Sequence, residues 1–86
     1  MSIIEKFLGH WKTRKGNLCE IMIDKLKWSQ GTEYPIRMID GKVVLTMNTA
    51  DYLGTLNENQ DSIFWDDGDV WERELVKNFL TVLYYN

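Results

Sequence analysis

His10 and Cys19 are the only histidine and the only cysteine of an 86-residue chain. Together they could form a thiolate–imidazole pair, the arrangement that activates a cysteine nucleophile. Their surroundings argue otherwise. Cys19, Ile21 and Ile23 alternate along an extended run and share one face. That is the setting of a packed, inert thiol with no cation beside it to lower its pKa. A Ser–His–Asp set has no supporting nucleophile motif. One His and one Cys are too few for a structural zinc site. Asp66, Asp67, Asp69 and Glu72 form a dense carboxylate group of the kind hard cations prefer, but without the spacing of an EF-hand loop. They read as turn chemistry. The glycines Gly31, Gly41, Gly54 and Gly68 are dispersed, and none opens a helix as a phosphate loop would. Asp51 and Asp61 fall in polar loops, where nothing raises a carboxylate pKa. The expectation is no enzyme, no catalytic residue, no metal and no cofactor.

Binding is the chemistry that remains, and the aromatics carry it. Trp11, Trp28, Trp65 and Trp71 are spread along the chain, and most of this surface is needed to fill a core. Neighbours on a strand face opposite sides, so Phe64 and Trp65 cannot both be internal. The same holds for Tyr84 and Tyr85 if that end is extended. The expected contact surface is Phe64, Trp71, Tyr84 and Tyr85, joined by Phe79 and Leu83 from the amphipathic C-terminal segment. The expected partner is a protein or a second copy of the chain, since a homodimer enlarges the core of a small domain. The alternative is a small apolar ligand held inside a barrel.

Composition bounds the partners. The net charge of -3 disfavours nucleic acid, which is bound through clustered Lys and Arg. The basic run Lys12, Thr13, Arg14, Lys15 reads as a solvated turn. No apolar run approaches the ~20 residues that cross a bilayer, so no membrane is expected. The start of the chain lacks a basic segment followed by a long apolar one, as a secretory signal would have. A lone thiol suits a reducing compartment, and the expected location is cytoplasmic.

The elements that must position these residues form one domain, 1–86. Ser2 and Glu5 make a capping box for a short helix over 2–8, with Ile3, Ile4, Phe7 and Leu8 on one face and Gly9 ending it. Strands follow over 10–13 with Trp11 inward, over 18–25 with Leu26 and Trp28 as an extension, and over 34–39. Pro35 belongs at a strand start or edge. An Asp40-Gly41 turn leads into 43–48, with Val43, Leu45 and Met47 on one face. Gly54 in the next strand, 52–56, signals a bulge or close packing by a large neighbour. The last pair flanks Asp67-Gly68 in a primed turn. Residues 72–86 extend as a strand to about Arg73 and then admit a helical stripe of Leu75, Val76, Phe79, Leu80 and Leu83, or further strand. The predicted fold is mainly β, an antiparallel meander sheet or barrel of six to seven strands with a short N-terminal helix.

The segment Phe7-Leu8-Gly9-His10-Trp11-Lys12 resembles the Phe-x-Gly-x-Trp entry of the calycins, the lipocalin and fatty-acid-binding barrels. The resemblance implies a short helix or turn leading into the first strand, with the Trp at the closed end of a barrel. Those barrels are longer than this chain, and small barrels are filled by their own side chains. Gly9-His10-Trp11, Gly54-Thr55-Leu56 and the run from Trp65 to Arg73, Trp-x-Asp-Gly-Asp-x-Trp-x-Arg, are also similar to a short β module of protist proteins. That second resemblance implies a recognition or scaffold role.

Overall fold

Eight short antiparallel strands close into a barrel in which every strand pairs with its sequence neighbours and β1 pairs with β8. The computed structural model describes residues 4–74. The strands are β1 (Gly9–Lys12), β2 (Leu18–Ile21), β3 (Lys25–Trp28), β4 (Glu33–Ile39), β5 (Lys42–Met47), β6 (Ala50–Leu56), β7 (Ser62–Trp65) and β8 (Val70–Arg73). The expectation of six to seven strands is corrected to eight. The run read as one strand with an extension is two strands, β2 and β3, folded back at Ile23 and Asp24. Met22 N donates to Lys25 O at 2.8 Å across this tight turn. Ile23, expected to face inward with Cys19 and Ile21, is 73% exposed at its tip. The expected helix over 2–8 is a single 3-10 turn, Ile4–Lys6. Ser2 and Ile3 lie outside the described residues, as do Leu75, Val76, Phe79, Leu80, Leu83, Tyr84 and Tyr85.

Alternation sorts the strands into an apolar interior and an exterior that is charged over most strands and apolar along Val44, Leu53, Phe64 and Val70. Trp11, Cys19, Ile21, Leu26, Ile36, Val43, Leu45, Ile63, Trp65 and Trp71 are buried together inside. Lys12, Lys27, Arg37, Asp51, Thr55 and Glu72 are exposed on the outer surface. Among the described residues, no helix is long and apolar enough to cross a membrane.

β4 shows how strand tilt is accommodated. Its first half pairs with β3, Pro35 opposite Lys25, and its second half pairs with β5 from Ile36 onward. Pro35 therefore stands where only one side of the strand is paired, which its missing N–H requires. Gly54 is a close-packing position rather than a bulge, for its register with β5 and β7 is continuous. A Cβ there would lie 2.8 Å from Ile63 Cγ2, 2.9 Å from the Trp65 ring and 3.0 Å from Val43 Cγ1.

The meander gives the barrel two different ends. The 3-10 turn and the turns after β2, β4 and β6 share one end. The 3-10 turn closes it: Ile4 and Phe7 are buried there and Trp11 Nε1 donates to Phe7 O at 2.8 Å. Arg73 locks this plug. Its guanidinium lies 4.3 Å from the centre of the Trp11 ring. It donates to Leu8 O at 2.8 Å, Lys6 O at 2.7 Å and Gln60 O at 2.8 Å. Gly9, at φ +121°, leaves the room: a Cβ would sit 3.2 Å from Arg73 Nη1.

Candidate functional site

The opposite end of the barrel is formed by the turns after β1, β3, β5 and β7. Three of these four share one design. Thr13 N to Asn17 O, Trp28 N to Thr32 O and Trp65 N to Asp69 O close the loops at 2.8 to 2.9 Å. Within each, the glycine donates back to the first residue, and Gly16, Gly31 and Gly68 have φ of +92°, +105° and +94°. This is a type I turn followed by a glycine bulge. The primed turn expected at Asp67-Gly68 is corrected accordingly, since only Gly68 has a positive φ there. The fourth turn is primed, with Asn48 and Thr49 at φ +51° and +68°.

Strand alternation then sets an aromatic mouth beneath these turns. Trp28 ends β3, Tyr52 lies near the start of β6, Trp65 ends β7 and Trp71 lies near the start of β8. All four rings line a cavity of about 90 Å³, with Leu45 and Met47 of β5. Trp71 is the hub. Trp28 meets it edge-on at 5.5 Å and 69°, and Trp65 lies tilted at 4.7 Å and 53°. Such angles suit the ring quadrupoles and stiffen the wall.

The β7–β8 turn adds carboxylates to the same cavity. Asp67 and Asp69 both line it. Asp69 Oδ2 accepts from Trp71 Nε1 at 3.0 Å and Oδ1 accepts from Val70 N at 2.8 Å. Asp67 Oδ1 accepts from Asp69 N at 3.0 Å. The dense acidic segment thus fixes a turn and orients Trp71. Among the described residues, no group of three or more His, Cys, Asp or Glu side chains converges as metal ligands would. Trp65 Nε1 is buried with no hydrogen-bond partner, an unusual state for an indole donor.

The two sequence-predicted contact residues that are described, Phe64 and Trp71, lie on opposite faces of the barrel wall. Phe64 is half exposed on the outer face, between Thr55 and Val70. Trp71 is corrected: it is 4% exposed and faces the interior, because it is opposite Ile63 and in phase with the inward set of β8. Phe79, Leu83, Tyr84 and Tyr85 lie outside the described residues. Trp28 and Tyr52, which help build the mouth, were not singled out as binding residues. Their signal was positional: both are inward residues flanking turns at the same end.

Two other features offer less. His10 faces outward, 3.7 Å from Glu20, while Cys19 faces inward opposite Trp11, so they make no dyad. Burial pushes the Cys19 thiol up to about 12, which keeps it protonated. A larger depression of about 530 Å³ lies outside the barrel along Lys12, Arg14, Lys15 and Glu72. It is bounded by solvated side chains and has no aromatic wall. Compared with protein families, curated proteins and solved structures, the chain finds no match.

Proposed function

We propose that this protein is a non-catalytic binding module that holds a small, partly apolar group in the aromatic mouth of its barrel. The observation that carries the reading is the convergence of three tryptophans and a tyrosine on one cavity at the unplugged end. A cavity of about 90 Å³ takes roughly three waters or a head group of similar size. It is well below the several hundred Å³ typical of a pocket that engulfs a whole ligand. The calycin-like reading is therefore narrowed: a barrel with a turn-plugged base and a shallow mouth fits a head-group binder better than a carrier of long acyl chains. The inert Cys19 thiol supports a non-catalytic role, and as a single buried thiol it suits a reducing, cytoplasmic setting. The test is a titration with a panel of small organic groups, following the indole N–H signals of Trp28, Trp65 and Trp71 by NMR. Saturable shifts confined to these three support the reading. No shift from any member of the panel overturns it.

A second reading, contact with a protein or a second copy, rests on Phe64. It is the apolar centre of an outer strip with Leu53 and Val70 on the adjoining strands. Analytical ultracentrifugation of the chain and of Phe64→Ser separates the two. A dimer abolished by Phe64→Ser supports self-association, and a monomer throughout the micromolar range removes the homodimer.

A further inference from the structure

Resting on the binding reading above, we infer that the group recognised in the mouth is a small alkylated ammonium cation of the choline type. Three observations meet here. The first is the wall. Trp28 and Trp65 are each steeply inclined to Trp71, and Tyr52 lines the same space. Aromatic side chains inclined to one another around one space are the kind of lining with which aromatic cages hold a quaternary ammonium. The second is size. About 90 Å³ accommodates a compact methylated head and not an extended chain.

The third is charge. Asp67 and Asp69 are the carboxylates lining the cavity, and no Lys, Arg or His lines it. Asp69 is engaged through both oxygens. Asp67 uses Oδ1 alone in the turn, which leaves Oδ2 for a ligand cation. Arg14 and Lys15 on the neighbouring turn border Asp67 and Asp69 across a separate depression. Neither makes an ion pair within 4.0 Å among the described residues. Asp67 Oδ2 thus faces the mouth without an ion pair or a hydrogen bond among the described residues, with Arg14 and Lys15 beyond direct contact. A neutral apolar group would fill the cage but leave this charge unused. An anion would meet both the carboxylates and the ring faces.

The experiment compares choline with its neutral isostere, in which a quaternary carbon replaces the nitrogen, at matched ionic strength. The readouts are tryptophan fluorescence and the three indole N–H signals. Choline is expected to bind saturably with a dissociation constant of ~10 mM or tighter, the range open to a ligand of few atoms in a shallow site. The isostere is expected to bind at least about 10-fold more weakly, the loss of a desolvated cation–π contact. Asp67→Asn keeps the Oδ1 acceptor of the turn and should weaken choline about 3-fold at low salt while leaving the isostere unchanged. Trp28→Leu, at a half-buried position, should weaken choline more than the isostere. Equal binding of the two probes overturns the cation and leaves the binding reading standing. Silence of all three indoles toward both probes overturns the choline-type assignment, and only silence toward the whole panel overturns the binding reading as well. Choline binding that is unaffected by Asp67→Asn and Trp28→Leu overturns the site.

Discussion

Trp65 and Trp71 occupy similar surroundings and differ in one atom's bonding. Both are buried, and they pack on each other at 4.7 Å. Trp71 Nε1 donates to a carboxylate, while Trp65 Nε1 donates to nothing. Replacing either by Phe removes the same indole volume. At Trp71 the change also removes a hydrogen bond to a charged group, worth about 1.5 to 3 kcal/mol. At Trp65 it removes an unsatisfied donor that itself opposes folding by about 1 to 3 kcal/mol. Trp71→Phe is therefore expected to destabilise the barrel more than Trp65→Phe, by about 3 kcal/mol in urea unfolding. Equal losses would mean that the Trp65 donor has a partner in solution. Gly54 sets the other limit at this scale. Gly54→Ala places a methyl against two side chains and the Trp65 ring at 3.0 Å or less, an overpacking expected to lose about 1 to 3 kcal/mol. Gly68→Ala has open space and only a positive φ to oppose it, so its loss should be near 1 kcal/mol. If Gly68→Ala loses more than Gly54→Ala, close packing is not what Gly54 serves.

At the scale of elements, the 3-10 turn holds its place through Arg73 rather than through its own length. Its intrahelical bonds are few, Phe7 N to Ile4 O and a long Leu8 N to Glu5 O at 3.4 Å. Carbonyls of Lys6 and Leu8 would be left without donors if the guanidinium were removed. Burial lowers the Arg73 pKa and the nearby Asp61 opposes this. A lysine has one donor group and cannot reproduce a planar fork serving three carbonyls and a ring. Arg73→Lys is expected to lose about 2 kcal/mol and to speed hydrogen exchange at Trp11 Nε1. An unchanged exchange rate would separate the clamp from the plug. The elements also mark what the sequence made legible. Asp40-Gly41 was readable because both residues take positive φ, +50° and +81°, in a primed turn. Gly54 was readable as a packing position, and Trp11 as an inward residue at the first strand. The Ile23-Asp24 reversal was hidden because it needs neither glycine nor a positive φ, so two strands looked like one. The mouth was hidden for a related reason. Trp28, Tyr52, Trp65 and Trp71 are far apart in sequence, and only the count of turns, which depends on that hidden reversal, brings them to one end.

The whole molecule divides its work between its ends. One end is plugged and bonded, and the other is a rigid aromatic opening under glycine-bulge turns. Between them lies Cys19, 3% exposed and paired opposite Trp11 and Trp28. Its thiol pKa rises from the ordinary 9.0 to about 12 because burial penalises the thiolate. The unfolded chain therefore gives up this proton at lower pH than the folded barrel does. The folded state binds more protons between those two values, so stability falls as pH rises through that window. The contribution is fully present below pH 9 and is lost progressively toward about 12, at up to about 1.4 kcal/mol per pH unit. The comparison that isolates the thiol is between the wild type and a variant without it. Cys19→Ala lacks the thiol and keeps the other groups. It should be less stable than wild type at pH 7 by about 1 kcal/mol, from lost packing. The difference should narrow above pH 9 and then reverse in urea unfolding measured between pH 7 and 11. A constant difference across that range would mean that water reaches Cys19 and that the barrel wall between β1 and β3 is not closed in solution.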